Sequence, residues 1–392
     1  ARFLDGSSTL GYDDHRGGIL VGSGYRNATT WSGPRPIGHE SGAAGDISLG
    51  AALFPYLAAD VTAIAGPDDV EVATGYIMGG WRSAIIWFGR HIPAFGQSEH
   101  GGIVLSGANS FDGGGFFLDD PIELPGPLRW LGPVRFSTFL SRMDENRYEL
   151  PWIWGARGSF QPHPRLTLGA NRAVIFGGKG NGAVNVRNIT YIVIGKHAGN
   201  GSEFDNQVVS FDLRYRPPLE SLPLAVYVEW GLEDSAGAWK DVPGVVAGVE
   251  VPALPGLPAV GLGVERASFA PSCCGNPIWY RHWSFTDGWA DDGVLLGHPL
   301  GGHGREWLAY ANADLFDSRL RLLTRVFTRD RGEENVYAPT REGESVGGMV
   351  RLEFRPMRHA EVVFQGATER GSEGSEGRWR ETRAYTGVRI LF

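Results

Sequence analysis

Apolar and polar side chains alternate along most of this chain, and this period of two constrains its fold more than any other feature. Residues 209–216, 224–230, 320–327 and 350–355 each place mostly apolar side chains on one face and mostly polar or charged ones on the other. A period of two is that of a β-strand. No comparably long stretch shows helical spacing, so the sequence predicts an all-β protein.

Short turn signals rich in Pro, Asp and Gly separate many of the strands. We place seven of them near residues 58–60, 125–131, 162–164, 217–222, 252–258, 316–318 and 356–359, and an eighth near Trp81. Longer polar or Gly-rich segments lie at residues 27–45, 176–205, 231–241, 329–344 and 369–378. Seven turns imply about sixteen strands and eight imply about eighteen. Short turns on one side and long loops on the other are typical of outer-membrane barrels.

A soluble β-sandwich or propeller also has strands with one apolar and one polar face. Three observations favour the barrel: many strands without a fixed repeat, loops of unequal length, and aromatic residues near strand ends. These aromatics are Trp81, Trp87, Phe88, Trp152, Trp154, Trp230 and Trp307. The last residue, Phe392, ends an alternating strand, which is typical of barrels that reach the outer membrane through an assembly machinery.

The sequence therefore predicts one domain over residues 1–392: a transmembrane antiparallel β-barrel of about eighteen strands (sixteen to eighteen). Its short turns are expected in the periplasm and its long loops outside the cell, in a Gram-negative type of outer membrane. The chain opens without the features of a signal peptide. It is therefore expected to be either cytosolic or a mature form whose signal has been removed.

Composition argues against several functional classes. The formal net charge is -8 with no basic stripe, so no nucleic-acid partner is expected. No nucleophile elbow, phosphate loop, metalloprotease helix or dinucleotide motif occurs in a suitable context. The sequence accordingly predicts a protein that is not an enzyme and needs no cofactor. A hydrolase built from scattered Ser, His and Asp residues remains an open alternative.

Two segments resemble those of a known protein family. Residues 279–285 (WYRHWSF), followed by Gly288 and Trp289, and residues 296–304 (LGHPLGGHG) resemble parts of the capsule assembly Wzi family. Shorter pieces match in the same order, at residues 88–90, 103–106, 109, 206–207, 212–215, 230 and 233–234. Together they span residues 75–392.

The resemblance implies an outer-membrane barrel of about eighteen strands that is lectin-like and non-catalytic. It would bind or organise capsular or other surface polysaccharide at the cell surface. Its partners would be that polysaccharide, outer-membrane lipid and, during biogenesis, the barrel assembly machinery. Two alternatives remain: a porin-like channel for small solutes or anions, and an outer-membrane hydrolase.

The densest aromatic and histidine region supplies the candidate polysaccharide-binding residues, because aromatic faces stack on sugar rings and polar side chains bond to hydroxyl groups. They are Trp279, Tyr280, His282, Trp289, His298 and His303. In the other interpretation, these side chains lock a long loop into the barrel mouth.

A second set of candidates consists of basic residues expected to face the lumen, namely Arg214, Arg321, Arg325, Arg351, Arg383 and Arg389. They would either attract acidic polysaccharide or pair with acidic residues of the same face. The acidic residues are Asp212, Glu229, Glu353, Glu361 and Glu381, and their presence favours pairing.

No metal site is expected. The histidines lack the tight spacings of a structural zinc site. Asp287, Asp291 and Asp292 lack the ligand order of a calcium loop and are interpreted as a solvated acidic turn. Cys273 and Cys274 are adjacent, and both a vicinal disulfide and two thiols remain open. The sequence also leaves open whether the lumen is plugged.

Overall fold

The computed structural model describes most of the chain from residue 18 to residue 391. The described ranges are 18–26, 42–54, 57–65, 70–107, 109–143, 149–181, 184–194, 204–219, 222–233, 243–270, 278–291, 293–357, 360–373 and 377–391. Within them, strands dominate and almost all belong to one sheet.

Eighteen long strands of these ranges form the body of the molecule. They are β1 (Gly18–Arg26), β2 (Gly42–Phe54), β3 (Leu57–Ala65), β4 (Val70–Trp81), β5 (Ala84–His91), β8 (Phe111–Leu118), β10 (Pro133–Arg142), β11 (Trp152–His163), β12 (Leu166–Phe176), β13 (Asp205–Tyr215), β14 (Ala225–Glu233), β15 (Gly244–Val251), β16 (Val260–Phe269), β19 (Gly304–Leu315), β20 (Leu320–Arg331), β21 (Gly343–Met357), β22 (Ala360–Glu373) and β23 (Gly377–Leu391).

The remaining elements are short. They are β6 (Ala94–Phe95), β7 (Leu105–Ser106), β9 (Ile122–Glu123), β17 (Ala290–Asp291), β18 (Val294–Leu295), a 3₁₀ helix at Gly126–Leu131 and the helix α1 (Val186–Val193). In the part of the chain described above, no helix has the length and apolar character needed to cross a membrane.

The sheet closes on itself. Each long strand pairs antiparallel with its neighbours in the ring, and β1 pairs with both β2 and β23, where Gly18 faces Leu391 and Tyr25 faces Ala384. Closure gives every long strand a partner on both sides, so the ring has no unpaired edge in the bilayer. The predicted antiparallel barrel of about eighteen strands is confirmed.

The two rims of the barrel differ. At one rim, short connections link neighbouring strands, including residues 82–83, 164–165 and 316–319. At the other rim the connections are longer, such as residues 92–110 and 177–204. The turn predicted at residues 58–60 is wrong, because those residues belong to β3. Asp60 accepts a hydrogen bond from Thr74 at 3.1 Å, so this residue type marks a polar strand face here and not a turn.

The outer wall is apolar and the inner wall is charged. On β20, Val326 is 59% exposed while Phe327, Arg329 and Arg331 are buried. On β16, Leu262 and Val264 are exposed while Glu265, the residue after Val264, is buried. This reverses the pattern of a soluble protein and is that of a barrel whose outer face meets lipid.

Exposed aromatics lie at both rims. Trp81, Trp130 and Phe316 are exposed at the short-turn rim, and Trp307 is exposed at the long-loop rim. Interfacial aromatics of this kind flank the apolar band of membrane barrels. Trp87, which the sequence placed among them, instead points inward, where it is buried and stacks on His91.

Two long connections enter the barrel. We call residues 92–110 and 278–303 the plug segments. With the inner wall they form the main apolar core, which includes Ile103, Leu105, Trp289 and Leu300. A membrane barrel with an apolar core inside its long-loop end has a filled lumen there rather than an aqueous mouth.

Candidate functional site

The first plug segment crosses the lumen to reach the far wall. We call residues 97–103 its tip. Gln97 donates to Asp212 of β13 at 2.7 Å, and Ser98 donates to Glu265 of β16 at 2.8 Å. The backbone N–H groups of Glu99 and Ile103 donate to Glu265 and Glu229 at 2.8 and 3.2 Å. The inner-wall carboxylates thus serve as acceptors for the plug.

Charged groups and the His100 ring continue this network around the wall. Arg325 of β20 reaches Glu99 at 2.6 Å, and His100 lies 2.7 Å from Glu306 of β19. Arg329 bridges Glu306 and Glu369, at 2.5 and 2.7 Å. Because these groups are buried or half-buried and each has an opposite charge or hydrogen-bond partner, they fix the tip in one position.

Glycines allow the tip to approach this closely. A Cβ on Gly102 would lie 1.6 Å from the carbonyl oxygen of Phe95, and one on Gly96 would lie 2.5 Å from a Glu229 carboxylate oxygen. Gly96 also has a φ of 115°, which disfavours other residues. The chain can therefore fold back here only because both positions lack a side chain.

The second plug segment rests on the first. Tyr280 donates its hydroxyl hydrogen to the carbonyl oxygen of Ile103 at 2.7 Å and accepts from the His298 N–H at 3.0 Å. The indole N–H of Trp289 donates to the carbonyl oxygen of Val104 at 2.8 Å. The Ser106 N–H donates to the carbonyl oxygen of Leu296 at 2.7 Å. The two segments are therefore one folded unit.

The six candidate polysaccharide-binding residues belong to this unit. Trp279, Tyr280, His282, Trp289 and His298 are all buried, and His303 is half-buried. The His282 ring nitrogen Nδ1 accepts N–H bonds from Ser284 and Phe285, each at 3.1 Å. Trp279 packs edge-on against Phe269 of β16, with ring centroids 4.9 Å apart. The structure brings the six together as packing side chains.

Their neighbours in sequence face outward. Trp283 is 60% exposed and stacks on the buried His282 ring at a centroid distance of 5.9 Å. Arg281 is also exposed and donates to the carbonyl oxygen of Asn335, in the β20–β21 loop, at 2.6 Å. An exposed indole and an exposed guanidinium thus sit at the long-loop rim on a buried scaffold.

Five of the six candidate lumen arginines have described side chains, and each lies beside a carboxylate. The partners are Glu250 for Arg214, Asp314 for Arg321, Glu99 for Arg325, Glu353 for Arg351 and Glu381 for Arg383. The side chain of Arg389 lies outside the described part of β23. This arrangement is internal pairing that stiffens the wall and holds the plug.

Glu265, His298 and Glu306 offer ligand atoms within 4.8 Å of one another. The His298 nitrogen Nδ1 accepts the N–H of Leu300 at 3.2 Å. A neutral imidazole that accepts at Nδ1 carries its proton on Nε2, and Nε2 lies 4.0 Å from Glu306. With Nδ1 bonded to the backbone and no hydrogen-bond partner at Nε2 among the described residues, the His298 ring serves here as a buried packing group.

Burial also sets the protonation of two plug residues. It lowers the pKa of His100 below the ordinary 6.5, although Glu306 opposes the shift. It raises the pKa of Tyr280 well above 10. Both side chains are therefore neutral at neutral pH, as a buried packing role requires.

The structure describes only part of the acidic turn and neither cysteine. Asp291 is buried and accepts a side-chain bond from Asn109 at 3.0 Å, whereas Asp287 is exposed. Asp292, Cys273 and Cys274 lie outside the described residues. The predicted solvated acidic turn is therefore wrong for Asp291, whose buried carboxylate joins the two plug segments.

The sequence prediction missed the plug tip and the exposed pair Arg281 and Trp283. A polar run at residues 97–100 between Gly96 and Gly101 was the available signal, because a polar segment flanked by glycines suits a tight excursion. Trp283 lies inside the recognised motif, but motif membership does not distinguish a buried indole from an exposed one.

Comparison with known proteins agrees with this architecture. The family model described as "Capsule assembly protein Wzi" matches residues 28–375. The solved structure of Wzi from Escherichia coli, described as a carbohydrate-binding β-barrel involved in group 1 capsule assembly, has a TM-score of 0.78. The two share 17% sequence identity over 96% of this chain and 84% of that one.

Two Pseudomonas aeruginosa outer-membrane proteins are more distant. OpdQ has a TM-score of 0.54 at 12% identity, over 96% of this chain and 98% of its own. OpdK has the same TM-score and identity, over 97% and 99%. No curated protein sequence matches the chain. These likenesses establish the fold of an outer-membrane β-barrel.

Proposed function

This chain belongs to the capsule assembly protein Wzi family, and we propose that it binds or organises surface polysaccharide at the cell surface without catalysing a reaction. The related Escherichia coli barrel is described as carbohydrate-binding. The observation that carries the proposal is Trp283, an exposed indole held on a buried scaffold at the long-loop rim.

An exposed indole suits this role for a physical reason. Its flat apolar face stacks on the C–H face of a sugar ring, and a rigid support reduces the entropy lost when the ligand binds. Arg281 lies two positions away and adds a positive charge for the carboxylates of acidic sugars. In this proposal the six buried candidates act by positioning the loop, while Arg281 and Trp283 touch the glycan.

The test is glycan binding by purified variants. We expect Trp283→Ala to weaken binding of responsive members of a panel of acidic and neutral capsular polysaccharides by about tenfold, which corresponds to about 1.4 kcal/mol. Trp81→Ala is the matched control, because Trp81 is 70% exposed at the opposite rim. Equal binding by Trp283→Ala and the unsubstituted protein would reject Trp283 as the contact.

The partners follow from the same proposal. Lipid surrounds the exposed apolar wall, and the barrel assembly machinery inserts the chain, since closure between β1 and β23 has to occur in the membrane. A hydrolase remains an alternative that is tested by release of reducing ends or fatty acids from the same panel and from lipid esters. Cleavage that purifies with the protein would overturn the non-catalytic role.

One observation bears on the channel alternative. A cleft of about 40 Å³ lies between the plug and the wall, lined by His100, Arg329, Met349, Glu369 and Arg383 among others. A space of about 10–15 Å³ on the same measure holds one water molecule, so this cleft has room for a few. A cleft of this size supports water or proton passage far better than solute transport.

A further inference from the structure

Helix α1 lies on the outside of the barrel. It belongs to the 177–204 connection, and Asn185 caps it by accepting the Asn188 N–H at 2.9 Å. Its residue Ile192 is buried against Val174 and Phe176 of β12. Side chains alternate across a strand, and Ala173 and Ile175 belong to the interior core, so Val174 and Phe176 face outward. Helix α1 therefore lies over the outer face of the wall.

The exposed side of α1 is apolar. Val186 is 81% exposed, and Ile189, Val193 and Ile194 are exposed as well. Val186, Ile189 and Val193 follow a spacing of three and four, so they share one helix face. In water each such side chain forgoes about 1.5–3 kcal/mol of burial. The exposed wall below the helix is the lipid-facing surface, and this face continues it.

Three arginines surround the helix. Arg142 lies over the Trp152 ring at 3.6 Å, Arg172 over the Trp154 ring at 5.8 Å, and Arg187 over the Tyr191 ring at 5.3 Å. Arg172 also donates to the carbonyl oxygen of Val193 at 3.3 Å and to Gln207 at 2.6 Å. Both Arg142 and Arg172 occupy outward positions of their strands, because Ser141 and Ala173 beside them are buried inward.

These arginines differ from those of the lumen. Within the described ranges, no carboxylate lies within ion-pair distance of any of the three, whereas each described candidate arginine of the lumen has one. Asp205, at the start of β13, is the nearby acidic group and attracts Arg172 from a longer distance. Lys179 and Glu149 neutralise each other at 2.8 Å. Among the described residues, the patch is therefore basic.

An outward arginine on a membrane barrel can meet an anion where it lies at the headgroup level. Arginine on the lipid face costs about 2–4 kcal/mol at the bilayer midplane and about 0–1 kcal/mol near the interface. Arg142 is the last residue of β10, next to the long-loop rim, which places it at the outer headgroup level. Phosphate is the anion of that level, and a guanidinium binds it through two parallel hydrogen bonds.

We propose that α1 and the outer wall of β10–β12 bind a phosphorylated glycolipid of the outer leaflet. Arg142, Arg172 and Arg187 contact its phosphate groups, and the face formed by Val186, Ile189 and Val193 contacts its acyl chains. The occupant is an amphiphile because the basic and apolar parts of the surface adjoin each other. This site lies outside the barrel and does not depend on the glycan surface around Trp283.

The experiment is a titration of detergent-extracted protein, followed by native mass spectrometry, with a hexa-acylated bisphosphorylated glucosamine disaccharide. The same lipid without phosphate is the second probe. We expect at least tenfold tighter binding of the phosphorylated lipid, and we expect the double variant Arg142→Gln/Arg187→Gln to lose most of that preference. Arg266→Gln is the matched control, because Arg266 is an exposed arginine over Trp307 on another part of the wall.

The possible outcomes either support the proposed lipid site or overturn it. Equal binding of the two lipids by the unsubstituted protein overturns the proposal even if a variant fails to fold. Equal losses in Arg266→Gln and in the double variant show a general charge effect and overturn it as well. Binding of lipid-free acidic polysaccharide that Arg142→Gln/Arg187→Gln abolishes, or a dimer that Val186→Ser dissociates, would assign the surface to another occupant. A heat-induced gel mobility shift confirms that each variant is folded.

Discussion

The indole N–H of Trp289 and the carbonyl oxygen of Val104 form a 2.8 Å hydrogen bond between positions 185 residues apart in sequence. Both groups are buried, and the bond joins the two plug segments at the centre of their apolar core. A buried carbonyl without a donor costs about 1–3 kcal/mol, so this pair helps to keep the two segments in one unit.

Trp289→Phe tests this bond. The phenylalanine ring keeps most of the packing but removes the donor, so we expect the plug to loosen by about 1–3 kcal/mol while the barrel stays intact. Limited proteolysis should then cut within residues 92–110 or 278–303 faster than in the unsubstituted protein. Trp81→Phe serves as the control at an exposed position. Identical cleavage rates in all three proteins would contradict the assignment.

A second expectation concerns acid. Burial lowers the pKa of His100 below 6.5, and the charged groups that face its ring are Glu306, Arg329 and Arg325. Between pH about 6.5 and the lower pKa of the folded state, the unfolded chain binds a proton that the folded chain does not bind. Stability contributed by a neutral His100 is therefore present above pH 6.5 and is lost as the pH falls through this window.

Thermal midpoints of the gel mobility shift between pH 7.5 and pH 5 measure this effect. We expect the midpoint to fall with pH in the unsubstituted protein and to fall less in His100→Gln. His163→Gln, at the exposed end of β11, should keep the original slope. If His100→Gln shows the same slope as His163→Gln, then His100 does not contribute to the pH dependence of stability.

A third prediction compares a buried carboxylate with an exposed one. Glu369 accepts from Arg329 at 2.7 Å and from Arg331 at 3.0 Å, all within the wall. Removing one partner of a buried ion pair typically costs about 3–5 kcal/mol, because the other charge stays buried. Glu369→Gln should therefore lower the denaturation midpoint strongly.

Glu123→Gln is its control. Glu123 lies 3.8 Å from Arg129 in the exposed turn that contains the 3₁₀ helix, and exposed pairs contribute about 0–1 kcal/mol. Urea titrations of the refolded barrel in detergent compare the two variants. Equal midpoints for Glu369→Gln and Glu123→Gln would show that the interior network does not stabilise the fold.

The barrel wall could be predicted from sequence because its signal is local. A strand in this wall has only one apolar and one polar face, and the register follows from neighbouring hairpins. The errors at Asp60 and Trp87 have one cause: the lumen accepts both charged and aromatic side chains, so an inward position resembles a turn or a rim. Residue type alone does not separate these cases.

The plug could not be predicted in the same way. Gln97 bonds to Asp212 and Glu99 to Arg325, which are 115 and 226 residues away. Partners at such separations leave no periodic pattern in a single sequence. The motif around Trp279 and His298 marked the correct segment, but which of its aromatics are buried depends on contacts with residues 103–106, which the pattern does not encode.

The last prediction concerns the lumen itself. A Cβ on Gly102 would overlap the carbonyl oxygen of Phe95, whereas nothing lies within 4 Å of a Cβ on Gly158 of β11. Gly102→Ala therefore displaces the plug tip and Gly158→Ala does not. We expect Gly102→Ala to open stable ion conductance in planar bilayers, while the unsubstituted protein and Gly158→Ala stay closed to solute-sized ions. Conductance in the unsubstituted protein comparable to that of Gly102→Ala would mean that the plug leaves a pore, and the channel alternative would then replace the closed barrel.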